Sequence, residues 1–468
     1  MVRDDRASLA EREQWAVEQF GQAELGDARR TRRLVRLAMQ MAANSSGSIP
    51  QQTGNAADMR AAYRLFAEED VTHAAICQPH FEQTRAAAQH LPLVLLVQDS
   101  AQLNFTAHAH CDGLGPIGRG QMRGLHQQNV LAIDPRARQP LGLMYQAHPR
   151  RANRGKGHRR AAKRRVPLAQ RESYWWIEAI RTLGSPPPGV RWVHVGDRGE
   201  DVFGVYEECR RQGTDWLIRA ARDRKVETPQ GPDHLLAYAR RLGGVASRTL
   251  TVRDLRGNTT REAGLHVAAG PVTLIPPRYE DAYRPLAPIS CWLVRVWEPD
   301  PPSGVEPLEW ILLTSLVCDT AEMALFVGQG YSLRWIVEEF HKCEKTGCQV
   351  EARRLESVDR LEPLIGLLSV LAVWLLKLKY VARDEPERPA GEMFDQETVA
   401  VMASYLKRPA KGLTVRAFWR GIGLLGGHPG RKCDGPVGWL RAWRGWQSFQ
   451  LILLGARLGT QRRGRRCG

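Results

Sequence analysis

Two short apolar runs that each lead into an aspartate constrain this chain more than any other feature. LVLLVQ (residues 93–98) leads into Asp99, and WVHVG (residues 192–196) leads into Asp197. Runs of this length, bounded by polar and turn-forming residues, read as buried strands. Further strand patterns follow at 129–133, 141–146 and 216–220, with helical patterns at 171–183 and 202–211. Such alternation predicts an α/β fold. Side chains at neighbouring strand ends can converge on one cleft at the carboxyl edge of a sheet, so the two acids become candidates for a shared site.

Residues 1–72 read as helical and basic around AELGDARRTRRLVRLAMQMA. Asp27 can cap a helix there, with Leu34, Leu37, Ala38 and Met41 recurring at helical spacing. That spacing leaves Arg29, Arg30, Arg32, Arg33 and Arg36 largely exposed. From about 223 to 316 the period changes to strands, at 249–252, 272–275, 291–297 and 310–316, broken by Pro and Gly turns. These predict a β-rich insertion. The apolar run LIGLLSVLAVWLLKL (residues 364–378) is shorter than the roughly 20 residues of a membrane span and reads as a buried core helix. ARDEPERPAGE (residues 382–392) reads as a linker. The remainder reads as helical, with Trp419, Trp439, Trp443 and Trp446, and ends in QRRGRRCG. The expected division is 1–72, 73–384 with the insertion inside it, and 385–468.

Charge narrows the function. Against 50 acidic residues stand 67 Lys and Arg, a net +17, which favours a polyanionic partner, nucleic acid first. The run RRANRGKGHRRAAKRR (residues 150–165) reads as a DNA-tracking loop. Nine scattered cysteines without a CxxC pair fit a reducing cytoplasm. The polar stretch MVRDDRASLAEREQW has no secretory character, so a cytoplasmic protein without membrane attachment is expected. GLGPIG (residues 113–118) lacks the strand and helix that dinucleotide binding needs. HAHC (residues 108–111) lacks a second half for zinc and reads as a loop.

The most informative segment is YSLRWIVEEFHKCEKTG (residues 331–347). As one helix it would place Tyr331, Arg334, Glu338, Lys342 and Lys345 within an arc of about 80°, with Leu333, Ile336, Val337 and Phe340 on the other side. An acid ringed by cations has a use: it can hold metal while its neighbours bind phosphates. Tyr331, two residues, Arg334, three residues, Glu338, six residues, Lys345 resembles the signature of the IS-four family of bacterial insertion-sequence transposases. LGDARRTRRLV (residues 25–35) and PLEWILLTS (residues 307–315) extend the resemblance along most of the chain.

The resemblance implies an α/β, ribonuclease H-like (retroviral-integrase-like) catalytic core with the β-rich insertion, flanked by helical N-terminal and C-terminal domains. Its catalytic and metal-binding acids would be Asp99, Asp197 and Glu338. Asp112, Asp134, Asp201 and above all Glu339 are rival acids. The implied cofactor is a pair of Mg²⁺ ions, with Mn²⁺ as a substitute. Mg²⁺ prefers oxygen ligands and retains waters, and two ions about 4 Å apart suit in-line phosphoryl displacement. Tyr331, Arg334 and Lys345 would contact phosphates, with Lys342 and Arg219 as further contacts. Trp310 either stacks on a flipped base or is a core tryptophan at a strand start. Arg30 and Arg33 match positions that bind the transposon end, while Ala43 stands where a lysine is expected, so the end recognised differs in sequence. The partners implied are double-stranded DNA, as terminal inverted repeats and target, and a second copy of the chain. Trp439, Trp443 and Trp446 at helical spacing offer an apolar surface for dimerisation or, equally, belong to the core of their own domain. The alternatives are a silent, DNA-binding transposase relative and a ribonuclease H-like nuclease.

Overall fold

The computed structural model describes residues 5–118, 120–151, 171–253, 260–277, 286–431 and 437–464. The chain divides into two compact units, one of residues 1–83, 102–125 and 339–468, the other of 84–101 and 126–338. The basic run at 150–165 lies almost wholly outside the described residues.

The first unit begins with α1 (Asp5–Phe20), α2 (Ala28–Ala43), α3 (Ile49–Thr53) and α4 (Ala56–Leu65), followed by α5 (His73–Ala88). Asp27 caps α2 as expected, its side chain accepting the Arg29 N–H at 2.7 Å. Leu34, Leu37, Ala38 and Met41 are buried, and Arg29, Arg32 and Arg36 are exposed. Arg30 and Arg33 depart from the expectation. Arg30 pairs with Glu68 and, at 2.8 Å, with Asp70. Arg33 pairs at 2.8 Å with Asp58, a buried carboxylate that also takes Arg36 at 2.7 Å. A carboxylate removed from water draws in the nearest guanidinium groups, an effect that helical periodicity does not report.

The second unit is built on a mixed sheet. Its strands are β1 (Leu93–Asn104), β3 (Arg123–Asp134), β4 (Gln139–Ala147), β5 (Arg191–Gly196) and β6 (Asp215–Arg219); the two-residue β2 (Gly115–Pro116) falls in the first unit. The order in this half is β4-β3-β1-β5-β6, with β3 and β4 antiparallel and β1, β5 and β6 parallel. The crossovers carry α6 (Tyr174–Leu183) and α7 (Phe203–Gln212). Trp176, Ile177 and Ile180 of the first and Phe203, Val205, Tyr206 and Cys209 of the second join one core with β6.

The insertion is a continuation of this sheet. It runs through β7 (Lys225–Thr228), β8 (Gly231–His234), α8 (Leu235–Arg241), β9 (Ala246–Arg253), β10 (Thr260–Leu274), β11 (Ile289–Trp297) and β12 (Glu309–Thr314). β12 returns antiparallel beside β6, with Leu312 opposite Arg219, and β11 and β10 follow outward. An edge strand left unpaired at β6 would expose its backbone groups; the insertion pairs them.

The expected single helix over 331–347 is broken. α9 (Ala321–Ser332) ends before Leu333, α10 (Trp335–Lys342) follows, and 343–347 widens into a π-helical turn. At the junction the N–H groups of Leu333, Arg334, Ile336 and Val337 each bond three residues back, at 3.0–3.2 Å. This tightening shifts the angular positions that an ideal helix assigns.

In the first unit, α11 (Val358–Asp384), α12 (Gln396–Leu406), α13 (Val415–Leu425) and α14 (Trp439–Gly464) complete the chain. α11 is long and apolar enough to cross a membrane, but 78% of its most apolar window is buried within the protein, as the core reading expects. α1 packs on α12, and the Trp15 and Trp374 rings lie 5.3 Å apart. The segment read as a linker is pinned instead: Ala390 is buried and its N–H bonds the Leu413 carbonyl at 2.8 Å, while the Val415 N–H bonds that of Arg388 at 2.8 Å. Of the three tryptophans read as dimer surface or domain core, the side chain of Trp439 lies outside the described residues, and the other two are core. Trp443 and Trp446 are buried, the latter among Phe394, Phe418 and Phe449, and Trp443 lies over Gly347, where any β-carbon would strike its ring. Bulky rings bury most apolar area by turning inward.

Arg353 ties the start of this unit to its later helices. It is 4% exposed and donates to the carbonyls of Gly47, Ser45 (2.8 Å) and Cys348. Arg353→Met removes all these donors at once and leaves buried carbonyls unpaired. A loss of about 2–4 kcal/mol is expected in urea unfolding.

Candidate active site

Strand register builds the site. In the parallel pair β1/β5, Val97 lies opposite Val195, so Asp99 and Asp197 stand two residues beyond the same rung. Neighbouring strands are about 4.8 Å apart, and the two acids arrive level with one another. β1 runs on through Asp99 to Asn104, so this aspartate lies within a strand rather than closing one, whereas Asp197 directly follows β5. The Gly199 N–H holds Asp197 Oδ1 at 2.6 Å, and the Ser100 N–H holds Asp99 Oδ1 at 2.8 Å.

Glu338 comes from the first turn of α10. One of its oxygens and one of Asp99 lie within 4.8 Å of each other. Arg334, one turn before it, spans the two carboxylates, with Nη1 3.4 Å from Asp99 and Nη2 3.3 Å from Glu338. The guanidinium is 9% exposed. Burial works against its charge, but Tyr331, Asp99, Glu338 and Asp197 outweigh it and its pKa moves up.

Asp99 shows what this crowding costs. Burial raises its pKa to about 7, with Glu338 and Asp197 pushing in the same direction and Arg334 opposing them. Like charges held together disfavour full ionisation. The carboxylate oxygens of Asp99 and Glu338, the two acids brought within 4.8 Å, are donors that suit a hard divalent cation.

Around the acids, Tyr331 is buried and its ring packs edge-on against Trp310 at 5.3 Å. Trp310 is half-buried at the start of β12, between the two expectations for it. Arg219 at the end of β6 donates to the Glu309 carbonyl at 2.9 Å and to Tyr331, and burial lowers its pKa. Trp335, which the sequence reading passed over, is 57% exposed with its ring 5.2 Å from the Arg334 guanidinium. The expected residues Asp99, Asp197, Glu338, Arg334, Tyr331, Arg219 and Trp310 all fall in the second unit.

Lys342, Lys345, Arg30 and Arg33 belong to the first unit. There Lys342 is exposed, while Lys345 donates to the Gln102 carbonyl at 2.7 Å and pairs with Glu351 at 3.5 Å. The rival acids have structural employment. Glu339 takes Lys379 at 2.6 Å and the Tyr380 hydroxyl at 2.9 Å. Asp201 takes Arg224, the Tyr206 hydroxyl at 2.7 Å and the Ala221 N–H at 2.7 Å. Asp134 holds the N–H groups of Arg136 and Ala137 in a turn, and Asp112 is fixed through its backbone, which pairs with Glu356 and Val358. The sequence reading also overlooked Glu200, a buried acid three residues after Asp197; an acid flanked by Gly199 and Asp201 in VGDRGED was the only signal for it.

The raised pKa of Asp99 has a measurable sign. Its carboxyl keeps a proton in the folded chain between pH 3.8, its ordinary value, and about 7. The stability it contributes is therefore present at low pH and lost as pH rises through 7. In chelator, urea unfolding of the wild type should show a fall in stability between pH 5 and pH 8 that Asp99→Asn reduces.

Residues 12–71 match the family model described as Transposase DNA-binding, a span that includes Arg30 and Arg33. Residues 191–375 match the model described as Transposase DDE domain, which contains Asp197, Arg219, Trp310, Tyr331, Arg334 and Glu338. A DDE domain implies a ribonuclease H-like fold, and the mixed sheet with parallel β1, β5 and β6 is consistent with it. With one domain that binds DNA and one that cuts and transposes it, the chain has the make-up of a DDE transposase.

Proposed function

We propose that this transposase moves an insertion sequence by cutting and pasting, with Asp99, Asp197 and Glu338 as its catalytic and metal-binding acids. The observation that supports this most is the meeting of Asp99 and Glu338, distant in the chain, within 4.8 Å, with Asp197 acting on the first and Arg334 between them. The three acids would hold two Mg²⁺ ions, or Mn²⁺ in their place. Such ions, when bound, supply activation of the attacking oxygen and stabilisation of the leaving one. Arg334, fixed by two carboxylates and by burial, orients Glu338 and offers a positive charge to a phosphate. Arg219 donates to the Tyr331 hydroxyl and so holds it in place.

The resemblance to the IS-four family, and within it to the Tn-five transposase, supports the finer sequence of events. Water nicks one strand, the freed 3′-hydroxyl attacks the other to leave a hairpin, a second water opens it, and the 3′ ends attack target DNA. Tyr331, Arg334, Lys345, Lys342 and Arg219 would then contact phosphates. Trp310 would stack on a flipped base, a contact of roughly 1–3 kcal/mol. Arg30 and Arg33 would exchange their carboxylate partners for phosphates of the terminal inverted repeat. In this reading residues 1–72 bind the end, 73–384 catalyse, 385–468 dimerise, and the protein works in the cytoplasm on the nucleoid.

The dimer has a different support from the one expected. Leu440 (52% exposed), Leu451 (71%) and Leu454 (54%) recur on one face of α14, with Ile452 (40%) beside them. Exposed apolar stripes of this kind mark interaction surfaces. A second copy of the chain meeting it there would bring two sites to two DNA ends.

Two outcomes check the proposal. Alanine at Asp99, Asp197 or Glu338 should lower Mg²⁺-dependent nicking of end DNA by at least about 1,000-fold, while gel-shift binding to that DNA persists; nicking at the wild-type rate would overturn it. Leu451→Asp with Leu454→Asp should leave nicking of a single end measurable but convert the paired-end complex to a one-protomer mass in light scattering.

A further inference from the structure

Glu200 lies three residues after Asp197, on the way into α7, and is 0% exposed. Neither of its carboxylate oxygens has a hydrogen-bond partner. The nearby buried acids are unlike it: Asp201 and Glu208 are both supplied with guanidinium and other donors. A buried carboxylate without donors is strongly disfavoured, so its place here calls for a partner.

The backbone makes room for it. Gly196 stands where a β-carbon would collide with the Glu200 carboxylate, and the Glu200 N–H bonds the Asp197 carbonyl at 3.2 Å. Asp197 and Asp99 act on Glu200 electrostatically, as does the Arg334 guanidinium from the same cluster. A second orphan lies close by in the chain. His194, two residues before Gly196 and so on the same strand face, is 0% exposed and has Nδ1 at 3.1 Å from Gln98 but no partner on Nε2. Unpaired polar atoms gathered beneath a strand end are what bound water satisfies. Ionised beside a divalent cation, these oxygens accept hydrogen bonds, and the waters that Mg²⁺ keeps are donors that suit them.

We propose that Glu200 is a fourth carboxylate of the metal site, a positioning residue that accepts hydrogen bonds from the waters carried by the ions that Asp99, Asp197 and Glu338 hold. The proposal rests on the reading of those three acids as metal ligands. Outer carboxylates of this kind change metal affinity by about 10–100-fold.

The test is Mn²⁺ binding to the full chain without DNA, read from the resonance signal of free Mn²⁺, for the wild type, Asp99→Asn, Glu200→Gln and Glu200→Ala. Wild type should bind and Asp99→Asn should lose binding. Both Glu200 variants should bind about 10–100-fold more weakly, with metal-free melting temperatures no lower than wild type because an unpartnered acid has gone. Wild-type affinity in both Glu200 variants, with or without a lower metal-free melting temperature, would overturn the role. A wild type that binds no better than Asp99→Asn would instead remove the reading of the three acids, and the wild-type curve alone tells that result apart.

Discussion

The site depends on one electrostatic constraint: carboxylates forced together by strand register need positive charge between them. Parallel pairing of β1 and β5 sets Asp99 and Asp197 level, and α10 adds Glu338. Burial, with Coulomb repulsion from Glu338 and Asp197 added to it, then shows as the lifted pKa of Asp99. Arg334 relieves part of it, at 3.3–3.4 Å from two of the acids. Such lengths are loose for charge-assisted hydrogen bonds, which run about 2.7–2.9 Å. The guanidinium shares itself between two partners and completes neither contact, leaving the acids free to take a cation of higher charge.

This incompleteness distinguishes the site from the other acidic groups. Asp201, Glu339 and Asp58 each collect two or more short donors and are spent on holding structure. Repulsion of this kind clusters at functional sites. The same accounting applies to the cations. Arg30 and Arg33 are engaged with carboxylates far along the chain, whereas Arg29 pairs only with the neighbouring Asp27 and, like Arg32, is exposed to solvent.

The insertion serves the site through its last strand. By pairing with β6, β12 sets Trp310 and the Glu309 carbonyl beside the end of β6. Arg219 then spans from that carbonyl to Tyr331, and Tyr331 packs on Trp310. An aromatic pair and a guanidinium thus form a wall next to Arg334, made of residues from β6, β12 and α9.

The alternation of strands and helices, the place of Asp197 just after a strand, the Asp27 cap and the buried core of α11 were legible in sequence, because periodicity and capping are local properties of a chain. Tyr331, Arg334 and Glu338 were legible for another reason, their spacing. What the tertiary structure alone decided was everything that needs a partner from elsewhere. It tightened the chain at Leu333 and turned Tyr331 inward, and it drew Trp443 and Trp446 into a core, leaving Leu451 and Leu454 outside. It gave Arg30 to carboxylates of the turn after α4 and Arg33 to Asp58 within α4, and it left the Glu200 carboxylate buried without a hydrogen-bond partner. Which donor meets which acceptor, and which surface loses water, are settled by groups far apart along the chain. A one-dimensional pattern carries the preference of each residue but not the identity of its neighbour.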